Sequence, residues 1–186
     1  QYYPELSTED AASVKTTAVY SGGFGHKPAY YKNGETEEVY FIGNESGYTS
    51  IFKVNLKKRG KLITVLEGER TEDFEEFHFF RTGLDISSKG VLAFATKSGE
   101  ADALHLFDVK TNKLITSFHF DHLVQIGSPA FTADGSSLVF PALDKSGKSD
   151  LYIFSIADKN LTRLTNDYYD DRDPDISADG KYIVFS

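Results

Sequence analysis

Three glycines, Gly90, Gly135 and Gly180, stand at intervals of 45 residues, and each closes a turn (SSKG, TADG, SADG) that opens onto an apolar run, VLAFA, SLVFP and YIVFS. Repetition at this period means one supersecondary unit used several times, each unit burying its neighbour's flank. Glycine admits φ > 0 at the turn, and a preceding Asp bonds back to the loop backbone.

Between these turns the chain breaks into short strand-like segments. Unit one takes Pro28–Tyr31, Glu38–Ile42, Ile51–Leu56 and Leu62–Leu66. Unit two takes Leu84–Ser87, Val91–Ala95, Ala103–Val109 and Leu114–Phe118. Unit three takes Pro129–Thr132, Leu138–Pro141, Asp150–Ile156 and Leu161–Thr165, and unit four begins at Pro174. Leu104, Leu106 and Val109 set against His105 and Asp108 show the alternation that places successive side chains on opposite faces of a strand. A four-stranded unit at 40–50 residues is the mark of a β-propeller blade. The expected fold is all-β, a β-propeller of four-stranded blades. Its blades span about 26–80, 81–127 and 128–173, with an incomplete fourth at 174–186 after a linker or the end of a preceding domain at 1–25.

Pro129 and Pro174 fall at the first position of an innermost strand, where a missing N–H costs least. Gly34 to Gly90 is a longer interval, and most of the excess lies in EGERTEDFEEFHFF (67–80), where a helical turn, a loop insertion and disorder are all open. Within the linker, Ser7 to Asp10 suits a helix cap before Ala11–Lys15, and Lys15–Tyr20 reads as a strand. The chain contains no Met and begins with Gln1, so it reads as a mature or excised piece of a longer propeller. The strand at Lys181–Ser186 would then present an apolar open edge, with self-association as one outcome.

Composition removes several function classes. Formal net charge is −8, which opposes a nucleic-acid surface, since neutralising phosphates needs a basic stripe. No apolar run reaches the ~18 residues of a spanning helix. The chain has no Cys, so thiolate metal sites, disulfides and a Cys nucleophile are impossible.

The segments SPAFTADGSSLVF, DLYIFSIADKNLTRLTND and DPDISADGKYIVFS resemble the WD40-like (PD40) repeats of the TolB-type propeller family, over roughly residues 28–186. Phe131 and Ile176 replace the usual Trp, and Lys89 replaces the Asp of the turn. GERTEDFEEFHFF, FHFDHLVQIGSPAF and LTNDYYDDRDPD further resemble bacterial proteins that place this propeller behind a peptidase-MA-like metallohydrolase domain. The resemblance implies an exported protein, periplasmic or otherwise extracytoplasmic. It also implies a non-catalytic scaffold for protein–protein interaction. The alternative is an accessory propeller that gates substrate for a peptidase whose catalytic domain lies outside this chain.

The catalytic motifs searched for do not occur. GSSLV and GKSDL lack the second glycine of a serine-hydrolase elbow. No His is followed by Glu, so no His-Glu-x-x-His zinc motif is present. His119-x-x-His122 would need a bend to put both rings on one wall, and Asp171-x-Asp173-x-Asp175 has Ile176 where a calcium loop needs glycine. No cofactor or metal is expected. Two sequons, Asn44-Glu45-Ser46 and Asn160-Leu161-Thr162, carry little weight. The candidate partner contacts are Tyr168, Tyr169, Asp170, Asp171, Arg172 and His122. Tyrosine provides large contact area at low entropy cost, and the two tyrosines either meet a protein or peptide partner or cover the blade junction. The loops 67–80, 119–128 and 165–173 are expected to share one face.

Overall fold

The computed structural model describes residues 24–44, 49–58, 61–68, 77 and 82–186. The expected linker, the helical turn at Ala11–Lys15, the strand at Lys15–Tyr20, Glu45-Ser46 of the first sequon and nearly all of the 67–80 insertion lie outside the described residues. Among the described residues the secondary structure is entirely strand and turn.

β1 (Phe24–Asn33), β2 (Thr36–Asn44), β3 (Thr49–Asn55) and β4 (Leu62–Glu67) form the first antiparallel sheet, in that order. β5 (Leu84–Ile86), β6 (Val91–Ser98), β7 (Ala101–Asp108) and β8 (Lys113–His119) form the second. The third sheet orders β10 (Ala130–Phe131), β11 (Ser137–Asp144), β12 (Ser149–Ser155) and β13 (Asn160–Arg163), with β9 (Leu123–Ile126) also paired to β11. β14 (Asp175–Ile176) and β15 (Ile183–Val184) form a two-stranded fourth sheet. These are the expected propeller blades, each a meander whose strands pair with their chain neighbours.

The structure corrects the third blade's inner edge. Residues 119–128 are not all loop: Leu123–Ile126 is a strand whose Ile126 faces Ala142 of β11, so this edge starts at Leu123 rather than at 128. The inner strand is split because Pro129 has no N–H to donate at that point. Gly127 N–H keeps contact by bonding Pro141 O at 2.7 Å. A Cβ on Gly127 would stand 2.6 Å from Pro141 Cγ, so only glycine permits this approach. β1 shows the same irregularity, a register shift between His26 and Ala29.

Each blade buries a directly opposed aromatic pair on its two middle strands. Phe41 faces Phe52, Phe94 faces His105, and Phe140 faces Tyr152. Ring centroids are 6.0, 5.1 and 6.5 Å apart, within the range where such pairs add ~0.5–1.5 kcal/mol beyond burial. Blades one and two meet over Tyr31, Tyr40, Ile51, Phe77, Leu92 and Phe94. Blades two and three meet over Ala93, Leu104, Leu106, Leu138, Phe140 and Phe154.

A half-buried carboxylate, Asp85, and a buried one, Asp102, stitch one blade to the next. Asp85 Oδ2 accepts Phe131 N–H across the junction at 2.7 Å, and its Oδ1 accepts Ile86 N–H at 2.7 Å. Burial pushes the Asp85 carboxyl up, and these two donors oppose that push. Asp102 Oδ2 accepts Ile126 N–H at 2.8 Å. Gly90, at φ 84°, closes the blade-two turn with its α-carbon side against the Tyr31 ring, where a Cβ would sit 2.7 Å from the hydroxyl.

His105 takes the place that Phe52 and Tyr152 hold in the other blades. Its Nε2 pairs with Thr96 Oγ1 and its Nδ1 with Ser117 Oγ, each at 2.8 Å. Burial, then the neighbouring His119, lowers its pKa to about 4. An unfolded His takes up its proton near 6.5, so the folded state is fully favoured above that pH and loses stability as pH falls toward 4. The loss is of order 3 kcal/mol. Urea unfolding of the wild type between these pH values should show that slope, and His105→Phe should flatten it; equal slopes would reject the assignment. Separately, Asp85→Ala orphans a buried amide and should lower stability by about 1–3 kcal/mol, read as a shifted urea midpoint.

Candidate functional site

The chain from Leu164 to Asp173 crosses from the outer strand of blade three to the inner strand of the fourth sheet, and its base is fixed by buried polar contacts. Leu151 N–H donates to Thr165 Oγ1 at 2.9 Å, and the same hydroxyl donates to Asp171 Oδ2. Asp171 N–H bonds Ser149 O at 3.2 Å. Arg163 Nε donates to Thr165 O at 2.9 Å while its Nη2 pairs with buried Asp150. Beyond the tip, Arg172 and Ser186 exchange both backbone bonds, at 2.8 and 3.0 Å. The loop is therefore held at both ends, and at its base the loss of these groups would leave buried polar atoms such as those of Asp150 and Asp171 unpaired.

The tip carries the tyrosines. Asp167 Oδ1 accepts Tyr169 N–H at 2.9 Å, a local turn typical of Asp. Tyr168 is 97% exposed and Tyr169 77%. Their rings lie 6.3 Å apart at 86°. Within the described chain neither ring is packed against the junction of the third blade with the fourth sheet.

Five of the six candidates sit on this one loop, and they divide into two sets. Tyr168, Tyr169, Asp170 and Arg172 face solvent, with Asp170 and Arg172 3.8 Å apart. Asp171 is 3% exposed; its carboxylate binds Thr165 inside the loop, so the structure removes it from the contact surface. His122 lies on a separate turn, where its carbonyl accepts Lys145 N–H at 3.0 Å and its ring stands 6.1 Å from that of Tyr152. The carboxylates of the Asp171–Asp175 run serve separate partners: Thr165 for Asp171, Lys27 for Asp173 and Ile176 N–H for Asp175. Among the described residues no three His, Asp or Glu side chains are grouped to hold a metal ion.

A second feature was not anticipated. Residues at the inner ends of the four units converge on one hydroxyl, that of Ser128. Lys27 Nζ and Gly83 N–H donate to it at 2.6 and 3.0 Å, and it donates to Asp173 Oδ1 at 3.4 Å. Lys27 also forms an ion pair with Asp173, which holds that carboxyl below the usual range. Lys27 and Asp173 both adopt left-handed backbone, φ 43° and 46°, ahead of a proline. For such residues this conformation costs of order 1–3 kcal/mol and persists where surrounding contacts impose it. The signal was in the sequence, as polar residues before Pro28, Pro129 and Pro174. Beside this node a groove of about 210 Å³ runs between the β11 end and the tyrosine loop, floored by Pro141, Ala142 and Leu143 and rimmed by Asp170, Arg172 and Lys27.

No known family profile matches the sequence, and no curated protein matches it. Solved structures do match the fold. TolB from Acinetobacter baumannii superposes with a TM-score of 0.70 at 18% identity, over 88% of this chain and 37% of TolB. Hydrazine synthase of Kuenenia stuttgartiensis matches at 0.58 and 10% identity, over 87% of this chain and 61% of that one. A puromycin-hydrolyzing peptidase of Mycobacterium tuberculosis matches at 0.52 and 14% identity, over 76% of this chain and 21% of the peptidase. The fold is that of TolB-type β-propellers, and the chain spans less than two thirds of each of these structures.

Thr165→Val keeps the shape of the loop base but removes the hydroxyl shared by Leu151 and Asp171. Chymotrypsin cleavage at Tyr168 and Tyr169 should then accelerate, with global stability lowered by about 1–3 kcal/mol. Unchanged cleavage would show that the loop base is not what orders the tip.

Proposed function

We propose that this chain is a non-catalytic propeller that binds a protein partner in an extracytoplasmic compartment. The observation that carries the reading is the open tyrosine pair on a loop whose base is internally fixed. Exposed aromatics are costly to leave in water, and on a pre-ordered loop they bind at little further entropy cost. Tyr168, Tyr169, Asp170 and Arg172 are the contact residues. The TolB-type fold supports both the interaction role and the extracytoplasmic setting. No helix among the described residues is long and apolar enough to cross a membrane.

The second reading, an accessory propeller gating substrate for a peptidase encoded in the same polypeptide, draws support from the likeness to the puromycin-hydrolyzing peptidase. The two readings share the same face and differ in whether the occupant is a stable partner or a passing substrate.

A photo-crosslinking residue placed at position 169 should capture a discrete protein adduct in cells of the source organism. The same residue at Ile115, exposed on the outer strand β8, should not. Equal yields at both positions would defeat the interaction reading.

A further inference from the structure

The tyrosine loop has a charge pattern as well as a shape. Residues 167–173 hold four carboxylates, Asp167, Asp170, Asp171 and Asp173, against the single guanidinium of Arg172. Asp171 is turned inward and Asp173 is answered by Lys27. Asp167 and Asp170 remain beside the two rings at the surface, with Arg172 close to Asp170 but mostly in solvent. The chain as a whole carries −8, so its field repels an acidic segment and draws a basic one.

The ring geometry selects further. At 86° and 6.3 Å the two rings make a right-angled corner, presenting a π-face with a negative quadrupole to whatever enters. A cation over such a face is attracted, and nearby carboxylates add to that attraction. The groove starts directly after the tyrosines, at Asp170, and its floor of Pro141, Ala142 and Leu143 suits an apolar side chain. In an extended segment, side chains two apart lie on the same face.

Resting on the interaction reading above and giving it a chemistry, we infer that the Tyr168–Tyr169 corner takes a Lys or Arg side chain from an extended segment of a protein partner. An apolar residue of that segment enters the adjacent groove. With four carboxylates against Arg172 and Lys27, the net negative charge of the loop disfavours an anionic segment at the same place. Arginine fits better than lysine, because its planar, weakly hydrated guanidinium stacks on aromatic faces.

The test uses two short, end-blocked peptides in a Gly-Ser frame, one carrying Arg-Ser-Leu-Ser-Arg and the other Glu-Ser-Leu-Ser-Glu, titrated against the intact chain by NMR. The Arg peptide should bind with its arginine δ-methylene protons moved upfield by the rings, and the Glu peptide should not bind. Raising salt from about 0.1 M to about 1 M, which contracts the screening length from about 10 Å to about 3 Å, should weaken the complex. Tyr168→Ala with Tyr169→Ala should weaken it at least about five-fold. The double Phe variant, which keeps both π-faces, should retain binding. Binding of the Glu peptide, or undiminished binding by the double Ala variant, overturns the inference. Crosslinks from position 169 that persist despite that result would leave the interaction reading intact and remove only the cationic chemistry.

Discussion

The Ser128 hydroxyl is the point through which the four repeats are joined at their inner ends. Lys27 and Gly83 donate to it from blades one and two, and it donates to Asp173 at the head of the fourth sheet. Propeller blades are ordinarily held by the apolar flanks they share, and that holds here for the clusters around Phe94 and Phe140. Apolar flanks are tolerant of sliding, because burial is non-directional. Hydrogen bonds are not. The Ser128 cluster, with Asp85 on Phe131 N–H and Asp102 on Ile126 N–H, sets the angle at which one blade meets the next.

The same logic governs the tyrosine loop. A loop that carries two open aromatic rings needs its backbone groups satisfied elsewhere, or it would collapse onto the nearest apolar surface. Thr165, Asp171, Arg163 and Asp150 supply that satisfaction from below. The acidic stretch that invites a metal reading is thus split between work inside the loop and charge presented outside it. Burial separates the two, and neighbouring residues of the same type have opposite roles.

Most of the blade architecture was legible from the 45-residue spacing of Gly90, Gly135 and Gly180, because a φ > 0 turn followed by an apolar run leaves few alternatives. The opposed pairs of Phe41, Phe94 and Phe140 follow from period-two alternation once the hairpins are placed. β9 was not legible. Leu123–Ile126 is a short apolar run next to His122 and a glycine, and its pairing with β11 depends on a contact between Gly127 and Pro141 that local pattern does not encode. Within the site, Tyr168 and Tyr169 could be picked by type and position, but their exposure could not. Asp171 was misplaced for the converse reason, since an Asp among Asps gives no hint that Thr165 will claim it. Lys27 lay far outside the region singled out, 146 residues before its partner Asp173.

That separation bears on how the chain acquires its structure. Repeat arrays usually contact only their nearest neighbours, so they can nucleate anywhere and grow or fray one unit at a time. A bond from the first inner strand to the head of the fourth ties the first of these units directly to the fourth. The loop it closes is nearly the whole described chain, and its closure must await three intervening units. These four units are therefore less like a stack in which each touches only its neighbours and more like a set in which one distant contact locks the units between. Local opening of the first unit and local opening of the fourth are coupled to each other.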